Sequence, residues 1–234
     1  MGSRPDRPRL GGKNDLDISY GLGYPVAAPL KSQNRIREEE MKTARKVKGT
    51  RSPKTEVYEI KITLVGSDPP IWRKFQVKND MTLDKLHGVI QIVMGWQDCH
   101  IHEFQIGDEA YGQVDAGGLE DVKDERKVRL GKVVRGEGAR FRYVYDFGDD
   151  WEHELVVERV LNVARNTKYP ACIDGERACP PEDCGGVWGY YDMLQTIDDP
   201  GDPDYEDVVE WLGEGFDPES FDIRQVNASL QKSR

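Results

Sequence analysis

The stretch between residues 57 and 95 constrains the fold most, because it holds two strand patterns and a capped helix pattern in direct succession. Apolar and polar residues alternate over 57–64 and again over 71–77, which predicts a hairpin with one face turned to a core. Apolar residues then recur at spacings of three and four over 83–94, and Gly95 stands where a helix usually ends. The folded part of the chain is therefore expected to begin with strand, strand and helix.

Further strand patterns follow this helix. Residues 127–134 and 140–147 are rich in β-branched and aromatic side chains, and 151–161 alternates again, with Leu155 and Val157 on the inward face. The turn residues between the last two runs predict a second hairpin. The run over 127–134 is predicted to be a further strand of the same sheet.

The C-terminal part has a different composition. From 178 to 223 there is no Lys or Arg but there are 14 Asp and Glu. Apolar spacing predicts two short helices, over 190–197 and 205–212, and a last helical stretch from about Pro218. Strands first and helices last indicate an α+β domain: an antiparallel or mixed sheet of two hairpins with one main helix and a C-terminal helical segment.

Charge divides the 234-residue chain into two parts. Residues 1–54 carry 13 basic and 6 acidic side chains, a net of +7, whereas 55–234 carry 20 basic and 37 acidic, a net of −17. We expect a disordered basic tail over 1–54, with Met41 as an alternative start, and a single domain over 55–234 whose part from 169 is acidic and helical. The acidic domain repels phosphate backbones, so nucleic acid could be contacted only through the tail.

Neither a membrane span nor a secretory signal is visible in the sequence. A bilayer needs about 20 consecutive apolar residues, and no window approaches that. A cytoplasmic protein is therefore predicted, in which the four cysteines are thiols or metal ligands rather than disulfides.

Three cysteines lie within thirteen residues in a loop rich in proline and glycine. Cys172, Cys179 and Cys184 could hold a structural zinc that stabilises this loop. The intervening spacings of six and four residues differ from paired CxxC motifs, so three ordinary loop thiols are the alternative. A fourth ligand would come from His153 or from the group Cys99, His100 and His102.

The acidic turn before the last strand is a second candidate site. Asp146, Asp149, Asp150 and His153 could bind a divalent cation and activate water. The alternative is ordinary turn chemistry, because Asp hydrogen-bonds its own backbone and tolerates a left-handed conformation. Two histidines of a third segment, His100 and His102, could also bind metal or simply belong to a half-buried strand.

Several longer motifs resemble one protein family, the plasmid pRiA ORF-three-like family, over about three quarters of the chain. The matching motifs are Pro-Ile-Trp-Arg at 70–73, Thr-Leu-Asp-Lys-Leu-His at 82–87, Gly-Trp at 95–96, His-Glu-Phe at 102–104, Tyr-Asp-Phe-Gly-Asp-Asp-Trp-Glu-His at 145–153, Tyr-Pro at 169–170, the Cys-Pro-Pro-Glu-Asp-Cys-Gly-Gly region at 178–190 and Phe-Asp-Pro at 216–218. The resemblance implies an α+β fold and an association with plasmids or mobile elements.

Some relatives in that family are labelled resolvases, which implies a Ser or Tyr nucleophile among arginines. Here the candidate motifs are acidic, and Arg73 and Arg142 stand alone. We therefore expect a non-enzymatic binding or accessory module for a protein or small-molecule partner, in which Cys172, Cys179 and Cys184 either hold a structural zinc or are ordinary loop thiols. The alternatives are a metal-dependent hydrolase or nuclease, and a DNA-associated factor acting through the tail.

Overall fold

The computed structural model describes residues 54–114, 122–213 and 215–233. Apart from Lys54, the predicted basic tail and the alternative start at Met41 lie outside these residues. Predictions that depend on the tail, including contact with DNA, therefore stay predictions.

Eight strands of the described residues form one sheet. The strands are β1 (Glu56–Leu64), β2 (Trp72–Lys78), β3 (His102–Ile106), β4 (Glu109–Gly112), β5 (Lys123–Asp124), β6 (Arg140–Tyr145), β7 (Trp151–Asn162) and β8 (Ala171–Glu176). Their order across the sheet is β5-β4-β3-β6-β7-β1-β2-β8. Every neighbouring pair is antiparallel except β4 and β5, which are parallel, so the sheet is mixed.

Both predicted hairpins are confirmed. In the first, β1 pairs with β2 from Val57 opposite Lys78 to Thr63 opposite Trp72. In the second, β6 pairs with β7, with Tyr145 opposite Trp151. The two hairpins meet because β1 also pairs with β7, which places the N-terminal strand and the acidic turn in the middle of one sheet.

Five α-helices of the described residues accompany the sheet. They are α1 (Leu83–Met94), α2 (Leu130–Val133), α3 (Gly186–Asp198), α4 (Tyr205–Leu212) and α5 (Ile223–Lys232). Helix α1 is the predicted main helix, and it ends at Gly95, whose φ of 101° is the left-handed conformation that glycine adopts without strain. Leu83, Leu86 and Ile90 on α1 are fully buried in the core, together with Ile60 and Ile62 of β1. The α+β fold class is confirmed.

The prediction of a strand over 127–134 is wrong. Glu125–Lys127 form a single 3₁₀ turn and α2 follows it. Leu130 and Val134 are both buried, and their spacing of four suits a helical turn rather than a strand, whose period is two.

Two expectations for the acidic C-terminal part also need correction. Strand β8 lies in this part and adds to the sheet beside β2, so the part is not helical throughout. The last helix begins at Ile223 rather than near Pro218, because Asp222 accepts hydrogen bonds from Arg224 N and Gln225 N and so caps it. No helix among the described residues is long and apolar enough to cross a membrane.

Candidate metal-binding site

Four polar side chains between α1 and β6 form a ring of hydrogen bonds, here called the closed network: Gln91, Tyr143, His87 and Asp98. Tyr143 Oη accepts from Gln91 Nε2 at 3.0 Å and lies 2.7 Å from His87 Nδ1. His87 Nε2 lies 2.7 Å from Asp98 Oδ1, and Asp98 N donates to Gln91 Oε1 at 3.0 Å.

The partners of His87 in the closed network assign its tautomer. An ionised carboxylate only accepts, so Nε2 carries the proton and Nδ1 accepts from the Tyr143 hydroxyl. Burial, followed by the nearby His102, lowers the pKa of His87 below its usual 6.5, which agrees with a neutral imidazole. Burial also raises the pKa of Tyr143, so its hydroxyl keeps the proton that it donates.

A second imidazole is stacked on the closed network. The rings of His87 and His102 are 3.5 Å apart and nearly parallel. His102 is buried in β3, and its Nε2 lies 2.8 Å from Glu125 Oε2, which is buried as well. The alternative of a half-buried strand therefore describes His102, whereas His100 lies before β3 begins.

The third buried imidazole belongs to His153, a sequence-predicted site residue. It is fully buried in β7, and its Nδ1 lies 3.4 Å from Tyr143 O. Burial lowers its pKa to about 4. Trp151, two residues earlier in β7, is fully buried in the core, and its ring centroid lies 5.7 Å from that of Trp96.

Three side chains at the end of β6 face one another without forming hydrogen bonds, here called the open cluster: His100, Asp146 and Asp183. One ligand atom from each lies within 4.8 Å of the others. His100 Nε2 is 3.1 Å from Asp183 Oδ1 and 3.6 Å from Asp146 Oδ2. Both distances are within the 4 Å of an ion pair, but the His100 nitrogen is shielded from solvent and lacks hydrogen-bond geometry to any described residue.

Local backbone chemistry places both carboxylates of the open cluster. Asp146 and Asp183 have φ of 56° and 60°, a conformation that Asp tolerates better than most residues. Asp146 Oδ1 accepts from Gly148 N at 2.9 Å, which leaves Oδ2 on the side of His100. Asp146 is buried and Asp183 is exposed, so the cluster lies at the surface end of the core.

Tyr145 fixes the backbone of His100, the remaining member of the open cluster. Its hydroxyl accepts from Cys99 N at 2.9 Å and from His100 N at 3.3 Å, and donates to Glu182 Oε1 at 2.5 Å. Burial, together with the hydrogen bond to Glu182, raises the pKa of Tyr145 above its usual 10. One phenol therefore connects the segment of His100 with the loop that carries Asp183.

The two remaining predicted acids lie beside a separate cavity of about 280 Å³. Asp149 and Asp150 line it together with Trp188 and Tyr191, and Asp149 Oδ2 accepts from Gly185 N at 3.1 Å. The structure thus brings Asp146 of the predicted acidic set to the open cluster, and places Asp149, Asp150 and His153 elsewhere.

The predicted thiol ligands are packed side chains. Cys172 in β8 donates to Lys74 O and Asp174 O, both at 3.5 Å. Burial raises the pKa of Cys179 and of Cys184 to about 12, so without a metal both remain thiols. Among the described residues, the open cluster is the one group of three or more possible ligands whose atoms converge. A zinc site at the thiols stays a prediction.

The fold and these motifs agree with the comparisons to known proteins. The chain belongs to the family described as plasmid pRiA4b ORF-3-like protein, which matches residues 56–225. The resemblance noted in the sequence is therefore confirmed.

Two relatives illustrate the family. An uncharacterised protein of Sinorhizobium fredii, y4hQ, is 35% identical over 176 residues, which are 74% of this chain and 90% of that protein. The crystal structure of MM3350, a protein of unknown function from Methanosarcina mazei Go1, is 37% identical. The comparison covers 73% of this chain and 97% of that one, with a TM-score of 0.67.

Sequence reasoning named His100 and Asp146 in separate motifs and did not name Asp183 as a ligand. The signal that could have joined them is a shared local pattern: Asp146 and Asp183 each stand two residues before a glycine, in turns where Asp tolerates positive φ. The pairing of β3 with β6 brings the segment of His100 beside Asp146, and the Tyr145 hydroxyl joins that segment to the loop of Asp183.

Proposed function

We propose that this protein binds a divalent transition-metal ion through His100, Asp146 and Asp183 and acts as a metal-binding module. The observation that carries the proposal is the open cluster itself. Three ligand atoms lie within 4.8 Å of one another, and a shielded imidazole nitrogen among them has no hydrogen-bond partner in the described part of the chain. Buried polar atoms are normally paired, so such a nitrogen suits a missing ligand.

The donor set indicates which ions fit. One imidazole nitrogen and two carboxylate oxygens suit zinc and manganese, whereas magnesium and calcium prefer oxygen alone. Two carboxylates would balance the charge of a divalent cation. The net charge of −17 over residues 55–234 adds a long-range attraction for cations.

A metal-dependent hydrolase is the second candidate. Structural zinc usually has four protein ligands, whereas catalytic zinc commonly has three and an open position for water. The open cluster supplies three, and Asp183 is exposed, which leaves room for a water and a substrate. This candidate replaces the predicted ligands Asp149, Asp150 and His153 with His100 and Asp183.

The metal proposal is tested by titrating chelator-treated protein with Zn²⁺ and Mn²⁺ in a calorimeter. We expect one site per chain, and we expect Asp183→Asn to weaken it by about a hundredfold, because even residues that only orient a ligand contribute about 10–100-fold in metal affinity. Asp150→Asn is the matched control, because Asp150 also has positive φ but lies outside the cluster. Equal affinity in both variants would contradict the proposal.

A thiol site is separated from the open cluster by a second pair of variants. If zinc is held by the cysteines, Cys179→Ser lowers zinc content and the melting temperature, and Asp183→Asn changes neither. If zinc is held by the open cluster, as we propose, Asp183→Asn lowers the zinc content and Cys179→Ser does not. Elemental analysis of both purified variants decides between the two sites.

The hydrolase candidate is tested with metal-loaded protein and bis(4-nitrophenyl) phosphate. Hydrolysis that requires metal and disappears in Asp183→Asn but not in Asp150→Asn supports an enzyme. Binding of one metal without hydrolysis of this or of carboxylic ester substrates supports a module.

A further inference from the structure

Arg73 is a buried cation without a counter-ion in the described part of the chain. It lies in β2 and is 2% exposed. None of the described carboxylates comes within the 4 Å of an ion pair with it. Buried charges are usually paired, and an unpaired one is costly, so the missing anion calls for an explanation.

The guanidinium of Arg73 is held rigidly by backbone carbonyls. Nε donates to Val93 O at 2.9 Å, and Nη1 donates to Trp72 O at 2.8 Å and Glu176 O at 2.7 Å. Nη2 makes no hydrogen bond to a described residue. Three neutral acceptors fix the orientation of the group but leave its charge and one nitrogen available.

An aromatic ring also packs on the guanidinium of Arg73. The Phe221 ring lies 4.2 Å from the Arg73 guanidinium carbon. Gly175 makes this stacking possible: a Cβ there would come within 2.7 Å of the Phe221 ring and 2.9 Å of Arg73 Cδ. The position of Arg73 thus depends on a glycine, an aromatic ring and three carbonyls.

Arg73 lines a cavity of about 610 Å³ between the end of α1, the segment around Cys179 and α5. Its walls are divided about evenly between polar groups and an apolar side that includes Val93, Trp96 and Phe216. A volume of several hundred Å³ that joins an apolar surface to fixed polar groups can hold a small molecule.

Two carboxylates at the same cavity limit the charge of a ligand. Asp217 accepts from Glu219 N and Asp222 accepts from Arg224 N and Gln225 N, so both are turned to backbone amides as caps. Their negative charge still opposes a dianion such as phosphate. A single carboxylate attached to an apolar body matches both the lone cation and the apolar side of the cavity.

We propose that this cavity binds a small monocarboxylic acid with an apolar or aromatic body, whose carboxylate pairs with Arg73. The site shares no residue with the open cluster and extends the function beyond metal binding. It gives the buried cation the anion that the described chain does not supply.

The proposal is tested on the full chain by NMR, following the Arg73 Nε–Hε signal. Phenylacetate and octanoate are the probes, phenylacetamide and octanamide their neutral controls, and inorganic phosphate the dianion control. We expect saturable shifts for the carboxylates and affinities at least about tenfold lower for the amides, because charge-assisted hydrogen bonds are the stronger. Phosphate should bind less tightly than either carboxylate.

Removal of Arg73 would leave three carbonyls unpaired and could unfold the protein, so a blocking variant decides the matter. Ser229 is an exposed residue of α5 that lines the cavity. Ser229→Trp should abolish carboxylate binding and leave the melting temperature unchanged, whereas Asp183→Asn should bind phenylacetate normally. The proposal is overturned if no carboxylate shifts the Arg73 signal, if amides or phosphate bind equally well, or if Ser229→Trp binds as the wild type does.

Discussion

The closed network and the open cluster both contain a histidine and a carboxylate, yet the hydrogen bonding of these groups differs between the two regions. In the closed network His87 has a partner on each ring nitrogen, and every link is a hydrogen bond of 2.7–3.0 Å. In the open cluster His100 Nε2 faces two carboxylates and has hydrogen-bond geometry to neither.

The difference lies in the elements that carry the residues. The closed network is held between α1 and β6, whose backbones are fixed by regular hydrogen bonds and core packing. The open cluster is carried by turns and by the loop before α3, and Tyr145 ties its segments together. The comparison supports the proposal that the second region binds a ligand, whereas the first needs none to satisfy its polar groups.

The largest expected effect on stability comes from replacing one glycine by alanine in the helix next to each region. Helix α3 follows the loop that carries Asp183, and α1 carries His87 and Gln91. In α3, a Cβ on Gly189 would lie 2.0 Å from Cys184 O, whereas a Cβ on Gly88 in α1 meets no atom within 4 Å. Gly189→Ala should lower the free energy of unfolding by about 3 kcal/mol or more, because backbone cannot yield as a side chain can. Gly88→Ala should raise it by about 0.5–1 kcal/mol.

Urea unfolding of the two glycine variants measures both effects. Because Cys184 follows Asp183, Gly189→Ala should also weaken metal binding, while Gly88→Ala should not. Equal destabilisation by the two substitutions would remove the distinction between the helices.

The pH dependence of stability should reveal the buried imidazoles. Burial holds the folded-state pKa of His153 at about 4, below the usual 6.5, so the unfolded chain takes up the proton first as pH falls. Stability from this residue is therefore complete above pH 6.5 and is lost between 6.5 and about 4, by about 3 kcal/mol. His87 adds in the same direction, because its pKa is also lowered.

Histidine NMR titration with urea unfolding at several pH values checks this prediction. His153→Gln, which cannot take up that proton, should show a shallower loss of stability toward acid. A His153 signal that titrates near pH 6.5 would contradict the assignment of a neutral buried ring.

The smallest expected effect on stability comes from removing the hydroxyl of one of two tyrosines in β6. Tyr143 belongs to the closed network, and Tyr145 holds the segments of the open cluster. Tyr143→Phe leaves His87 Nδ1 and Gln91 Nε2 without their partner and should cost about 2 kcal/mol, with metal affinity unchanged. Tyr145→Phe releases Cys99 N and His100 N near the surface and should cost about 1 kcal/mol. Only the second should weaken metal binding, by about tenfold.

Thermal melting and metal titration of the two tyrosine variants distinguish the regions. If Tyr143→Phe weakens metal binding as much as Tyr145→Phe does, the closed network also positions the ligands. The two regions would then act as one unit.

Much of the fold could be predicted because local periodicity reflects burial. The alternation in β1 and β7, the spacing in α1 and the left-handed cap at Gly95 all depend on near neighbours in sequence. The failures were short elements: α2 has four residues, and β8 is an edge strand whose pairing partner β2 lies about a hundred residues earlier.

The candidate sites show where sequence reasoning ends. The motifs containing His100, Asp146 and Asp183 were visible, but the three lie on separate segments, and only strand pairing and the Tyr145 hydroxyl bring them together. Arg73 appeared as an isolated basic residue, since nothing in its surroundings in sequence shows the cavity beside it.

Sequence by itself determined the family, the α+β class, the two hairpins and the acidic character of the chain beyond residue 54. Each of these follows from composition or from contacts between residues close in the chain. Tertiary structure alone decided which histidines are neutral and enclosed, which carboxylates share a site, and that a guanidinium lies buried without an anion among the described residues. These depend on distances between segments far apart in sequence, where hydrogen bonding and burial are set by the packed fold.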